Sequence, residues 1–157
     1  MGRSHRLLYR TTRATMYTKA VTAVTAVQAE RRIMVTKKAL SPEAGNAFAH
    51  GLEISGFQRL LFISGQVPED GEGNVPPDYR SQYRLAWANV AKRLDEAGMS
   101  FDNLVKVTIY LGDRRYVKVS AGLRAEILGD RPIAVTIVIV GIYDEAWLLE
   151  IEAIAAA

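Results

Sequence analysis

A chain of 157 residues with 49% hydrophobic side chains can bury one respectable core and suggests a single domain. It contains no Cys and only two His, His5 and His50, which excludes disulfides, thiolate nucleophiles, Cys-ligated metals and a His-rich metal site within one chain. The formal charge of +3 hides two unequal parts: residues 1–38 carry a net +8 and residues 39–157 a net −5, so the folded part is acidic and offers nucleic acid no cationic surface.

No cofactor and no metal is expected, and no membrane contact either, because the longest apolar runs, such as 133–140, fall far short of the roughly 20 residues that span a bilayer. Residues 1–33 are rich in Arg, Thr and Ala and almost free of acids. That composition suits a transit peptide. It also suits a disordered or artefactual extension upstream of a later start at Met16 or Met34, and this second reading is preferred, leaving 34–157 as the domain. The expected compartment is then the cytoplasm, and the mitochondrion only if the segment is a real transit peptide.

From Lys37 onward the punctuation is regular. "SPEAGNAFAHG" (41–51) reads as loop, and "RLLFISG" (59–65) as a short buried strand bounded by glycine. Three Pro and two Gly make 66–79 an exposed loop. Tyr83, Trp87, Val90 and Leu94 then fall at spacings of four, three and four, with Gly98 just beyond, which predicts an amphipathic helix with a glycine stop.

The segment 101–113 alternates Val105, Val107, Ile109 and Leu111 against Lys106, Thr108 and Tyr110, a strand with one more polar face. Asp113 is placed to cap a second helix, 114–129, with Tyr116, Val119, Leu123 and Ile127 as its buried stripe and Gly129 as its stop. A strand follows Pro132 over 133–140, apolar on both faces, and 147–155 forms the last strand, with Leu149, Ile151 and Ala153 opposed to Glu150 and Glu152. Two helices cover one face of such a sheet, so the other face needs a cover that this chain does not supply, and a second copy is the simplest one.

"LFISGQVPEDGEGN", the helix after it, "EAGMSFDNLVKVTIYLGD", "GDRP" and "WLLEIEAIA" together resemble the YjgF/Rid (reactive intermediate deaminase) family in order and separation, over about residues 40–155. The resemblance implies an α+β, chorismate-mutase-like fold: a mixed sheet with two helices on one face, assembled as a homotrimer around a central barrel. It also implies three ligand clefts between subunits, so the expected partners are the chain itself and a small molecule.

In active deaminases of this family an arginine on the strand after the proline binds the substrate carboxylate, and a glutamate of the last strand helps position the water that hydrolyses an imine. A guanidinium fork grips a carboxylate bidentately, and a carboxylate directs water to the C=N carbon. Here the arginine's position is Ala134, and Arg131 lies three residues too early. Glu150 matches the family glutamate, and Ser64 and Gly65 match the cleft-lining pair. Phe48 stands near the place of an N-terminal tyrosine, His50 offers an imidazole two residues on, Ser120 falls where an asparagine is frequent, and Thr136 adds a hydroxyl.

Each has a plainer alternative: Ser64 as a strand-end residue satisfied by backbone, Glu150 as an ion-pair partner across a subunit interface, His50 as a surface histidine. Three functions stay open: a hydrolase or deaminase acting on a small reactive imine, enamine or carbonyl compound, with recognition altered by the loss of the arginine; a trimeric binding protein without chemistry; and a ribonuclease or translation inhibitor. The acidic domain, without RNP-type aromatics or a pair of catalytic histidines, disfavours the third.

Overall fold

The computed structural model describes residues 35–43 and 47–157, and the expectations for residues 1–33 lie outside them. The elements run β1 (Thr36–Glu43), β2 (Phe48–Ser55), β3 (Leu60–Gln66), α1 (Tyr79–Glu96), β4 (Leu104–Leu111), α2 (Val117–Leu128), β5 (Ala134–Ile139) and β6 (Leu149–Ala156). One mixed sheet has the order β1-β2-β5-β4-β6-β3, with β5 parallel to both β2 and β4 and the remaining pairs antiparallel. The α+β class with both helices on one face is therefore what the structure has.

Alternation along the central strands explains the layering. Val107, Ile109 and Leu111 of β4 and Leu149, Ile151, Ala153 and Ala155 of β6 are buried in one core under the helices. Register pairs Thr108 with Glu152 and Tyr110 with Glu150, and cross-strand partners share a face, so these polar side chains project from the opposite side. On that side the edge strand β3 leaves Phe62 71% and Leu60 46% exposed.

The helix α1 follows its predicted stripe. Asp78 caps it by accepting from the Ser81 N–H, and Tyr83, Trp87, Val90 and Leu94 are fully buried over β3 and β6. Gln82 is buried too, because its amide is satisfied three times: it donates to the Pro76 and Ala146 carbonyls at 2.8 and 2.9 Å and accepts from the Leu148 N–H at 2.8 Å. That side chain ties the loop before α1 to the approach of β6.

Three expectations are corrected. Within the stretch 41–51 expected to be loop, residues 41–43 belong to β1 and 48–51 to β2, an antiparallel pair in unbroken register from Thr36↔Ser55 to Glu43↔Phe48. Pro42 is tolerated because β1 is an edge strand, and the missing side chain of Gly51 makes room for Leu40, whose Cδ1 would sit 3.2 Å from a Cβ there. Second, the buried face of α2 is rotated by about one residue from its predicted stripe. Ser120, Leu123, Arg124 and Leu128 lie inside, while Tyr116, Val119 and Ile127 are only partly covered.

Third, the segments 101–103 and 114–116 are 3-10 turns at the starts of a strand and a helix. Ser100 and Asn103 close a capping box around the first, and Asp113 caps the second as predicted. Among the described residues, no helix is long and apolar enough to cross a membrane.

Tyr79 and Tyr116 stack with ring centroids 4.0 Å apart, joining the two helices, and burial pushes the Tyr83 phenol up to about 12 and the Tyr79 phenol above the usual tyrosine range. In the unfolded chain both titrate near pH 10. The stability held by the neutral phenols is complete below that pH, and it is lost as pH rises from about 10 through the raised folded values. Urea unfolding at pH 9 and pH 11 should show lower stability at the higher pH, with Tyr83→Phe recovering part of the difference; equal stability at both would show that the folded phenols titrate normally.

Candidate functional site

The open face of the sheet is organised around a break in β3. Its pairing with β6 slips between Ile63 and Gln66, so Ser64 and Gly65 form an irregularity at the sheet edge, pinned by the Gln66 amide donating to the Ser64 carbonyl at 2.9 Å. Gly65 is required there for space. A Cβ at this position would lie 1.5 Å from Glu150 Oε1 and 2.5 Å from its Cδ, which means the Glu150 carboxylate rests directly over the Gly65 backbone. The structure thus brings together Ser64, Gly65 and Glu150.

The neighbouring strands extend this face. Thr136 of β5 is in register with Thr108 of β4, and its hydroxyl accepts a hydrogen bond from Lys106 Nζ. Ala134 is in register with Lys106 on one side and with Ala49 on the other. A cavity of about 350 Å³ opens between β3, β6 and β4, lined by Phe62, Ser64, Lys106, Thr108, Glu152 and Ile154 among others. Partial burial lowers the pKa of Lys106 while Glu152 pulls it back up, and the Tyr110 phenol is raised by desolvation, by its hydrogen bond to Glu152 and by the nearby carboxylates.

Other sequence-predicted site residues lie elsewhere. Phe48 and His50 are on β2, two strands away from β4, and their rings meet edge to face at 5.1 Å. Ser120 does not reach the open face: it is fully buried on α2, donating to the Tyr116 carbonyl at 2.7 Å and contacting the Tyr79 hydroxyl. Arg131 does not turn into the site in place of the missing arginine, because its Nε bonds Asp102 at 2.6 Å and its Nη1 bonds the Leu128 carbonyl at 2.8 Å.

Lys106, Thr108, Tyr110 and Glu152 complete this face: polar residues alternate on β4 and carboxylates on β6, and antiparallel pairing puts both sets on one side. Among the described residues, no cluster of three or more His, Asp or Glu side chains is arranged to hold a metal ion.

Comparison with known proteins covers the same region. The family model for endoribonuclease L-PSP matches residues 36–157. A RutC family protein of Pyrococcus abyssi is 30% identical over 127 residues, 80% of this chain and 96% of that protein. An Escherichia coli protein, TdcF, named as a reactive intermediate deaminase, is 30% identical over 84 residues, 53% of this chain and 61% of its own. Among solved structures, the Rid family protein YyfB of Yersinia pestis is similar with a TM-score of 0.67 at 25% identity, covering 77% of this chain and 98% of that one.

Replacing Gly65 by Ala should cost little stability, because the clashing atoms belong to a side chain that can rotate away, but it should expel the Glu150 carboxylate from its seat. A crystal structure of Gly65→Ala with Glu150 in an altered rotamer, and a melting temperature within about 5 °C of wild type, is the expected result; an unmoved Glu150 would contradict the close approach.

Proposed function

Because the chain belongs to the endoribonuclease L-PSP family, that of the YjgF/Rid proteins, we propose that it is a homotrimer acting at intersubunit clefts on a small reactive imine, enamine or carbonyl metabolite. The single observation that carries this reading is the Glu150 carboxylate held over Gly65 beside Ser64. A carboxylate seated against the Gly65 backbone is a base beside the Ser64 hydroxyl, and C=N hydrolysis needs one.

In the proposed reaction Glu150 takes a proton from water as its oxygen attacks the imine carbon, giving a carbinolamine. The proton then passes to the nitrogen, Glu150 carries the hydroxyl proton of the carbinolamine to the departing nitrogen as the C–N bond breaks, and a carbonyl compound and ammonia leave. Ser64 is the hydroxyl nearest this seat in sequence and lines the adjoining cavity. The name carried by TdcF supports the same class of reaction for this chain.

Ala134 supports a second reading, a trimer that binds small molecules without turning them over, since β5 presents a methyl group where a guanidinium would grip a carboxylate. Ribonuclease activity is the weakest reading, because the domain is acidic.

The trimer rests on the open face: exposed Phe62 and Leu60 border a sheet that has helices on one side only. Light scattering at micromolar concentration should give three times the 17.3 kDa chain mass. A monomer mass would remove the intersubunit cleft from the proposal.

A carboxylate substrate that lacks one bidentate charge-assisted contact forfeits roughly 1.5–3 kcal/mol, about ten- to a hundredfold in binding. Ammonia release from 2-iminopropionate should therefore be slow in wild type, rise in Ala134→Arg, and fall again by at least about a hundredfold when Glu150→Gln is added. Fast wild-type turnover unchanged by either substitution would place the chemistry elsewhere.

A further inference from the structure

Lys106 occupies the middle of the open face on a central strand, half-buried, and lines the 350 Å³ cavity with Ser64, Thr108 and Glu152. Its ammonium carries three N–H donors. Two are directed at uncharged oxygens, the Thr136 hydroxyl and the Val107 carbonyl at 3.3 Å. It forms no ion pair among the described residues. Glu152 shares the cavity and is close enough to act on its charge, but that carboxylate is hydrogen-bonded to the Tyr110 phenol.

A partly desolvated cation that forms no close ion pair and keeps one donor unused is a receptor for an anionic oxygen. The hydroxyls of Thr136, Thr108 and Ser64 around it extend the same preference, since each can donate to such an oxygen. The lining is mixed: Phe62 and Ile154 are apolar, and Glu152 is negative. Ala134, beside Lys106 in register, puts only a methyl group next to it on β5. The basic groove along the helices, with Arg80, Arg115 and Lys118, lacks this character, because those three residues are exposed to solvent.

We propose that Lys106 is the specificity-determining residue of this site, holding the carboxylate of a small monoanionic ligand with the Thr136 hydroxyl, while Glu152 repels a second negative charge. The inference rests on the site proposed above and supplies its missing anchor. A lysine is a point charge and not a fork, so it orients a carboxylate less firmly than an arginine. Burial lowers the pKa of Lys106, and a bound carboxylate raises it again, so ligand and ammonium stabilise each other.

The test measures equilibrium binding of three probes to the full chain by calorimetry: pyruvate, its uncharged methyl ester, and the dianion oxaloacetate. Wild type should bind pyruvate about tenfold more tightly than the ester, the value of one charge-assisted contact. Lys106→Met should erase that preference by weakening pyruvate about tenfold more than the ester, Lys106→Arg should retain it, and Glu152→Gln should admit oxaloacetate. A pyruvate preference that survives Lys106→Met, or a wild type that takes acid and ester equally, overturns the proposal.

Should Lys106→Met fail to fold, the lysine ammonium resonances of the wild type carry the test: the Lys106 signal must shift on adding pyruvate, and an unmoved signal overturns the proposal as well. Failure here is distinguishable from failure of the hydrolytic reading. Lys106-dependent pyruvate binding without ammonia release from any variant refutes only the catalysis, whereas ammonia release with equal affinity for acid and ester refutes only the anchor.

Discussion

The antiparallel pairing of β4 with β6 is the constraint on which the rest depends. It aligns Val107, Ile109 and Leu111 with Ala153, Ile151 and Leu149 on the side that the helices cover. By the same register it must align Thr108 and Tyr110 with Glu152 and Glu150 on the other side. Because side chains alternate strictly, a slip of one residue would bury two carboxylates in the core and expose its aliphatic residues. The register that makes the core is therefore also the register that makes the site, and neither can drift without the other.

Precision at the site comes from what is absent as much as from what is present. A flexible glutamate on a strand samples several rotamers, but one seated over a residue without a Cβ, at a break in the edge strand, has a defined place. The same end of β6 is fixed from the opposite layer by Gln82, which is satisfied by the carbonyls of two loops and by the Leu148 N–H, two residues before Glu150. The buried amide holds the backbone, and the break in β3 leaves room for the side chain.

What the sequence disclosed followed from periodicity. The stripe Tyr83, Trp87, Val90 and Leu94 is apolar where α1 faces the core, and β4 and β6 each show a clean alternation, so all three elements were legible. The pair β1 and β2 was not: Pro42, Gly51 and two lysines weaken its pattern, and its place is secured by long-range contacts such as Lys37 donating to the Leu104 carbonyl at 2.9 Å. The buried face of α2 is not legible from apolar spacing, because Ser120 and Arg124 are polar and yet inside. The place of Lys106 is hidden for a related reason: a lysine on the polar side of a strand reads as solvated until topology shows that strand to be central.

Charge balance then bears on what such a face would hold. Each protomer presents Lys106 against Glu150 and Glu152, one positive charge against two negative ones. If three copies close around these faces, water is displaced from them, and an uncompensated carboxylate in a drier setting costs several kcal/mol unless something positive approaches it or it takes up a proton. A ligand carrying a carboxylate toward Lys106 and a protonated nitrogen toward the glutamates would satisfy both ends at once. The protonated imine is also the form whose carbon water attacks most readily. A net negative site would thus favour the reactive ionisation state of its substrate, with the electrostatics of assembly and those of the proposed chemistry acting in the same direction.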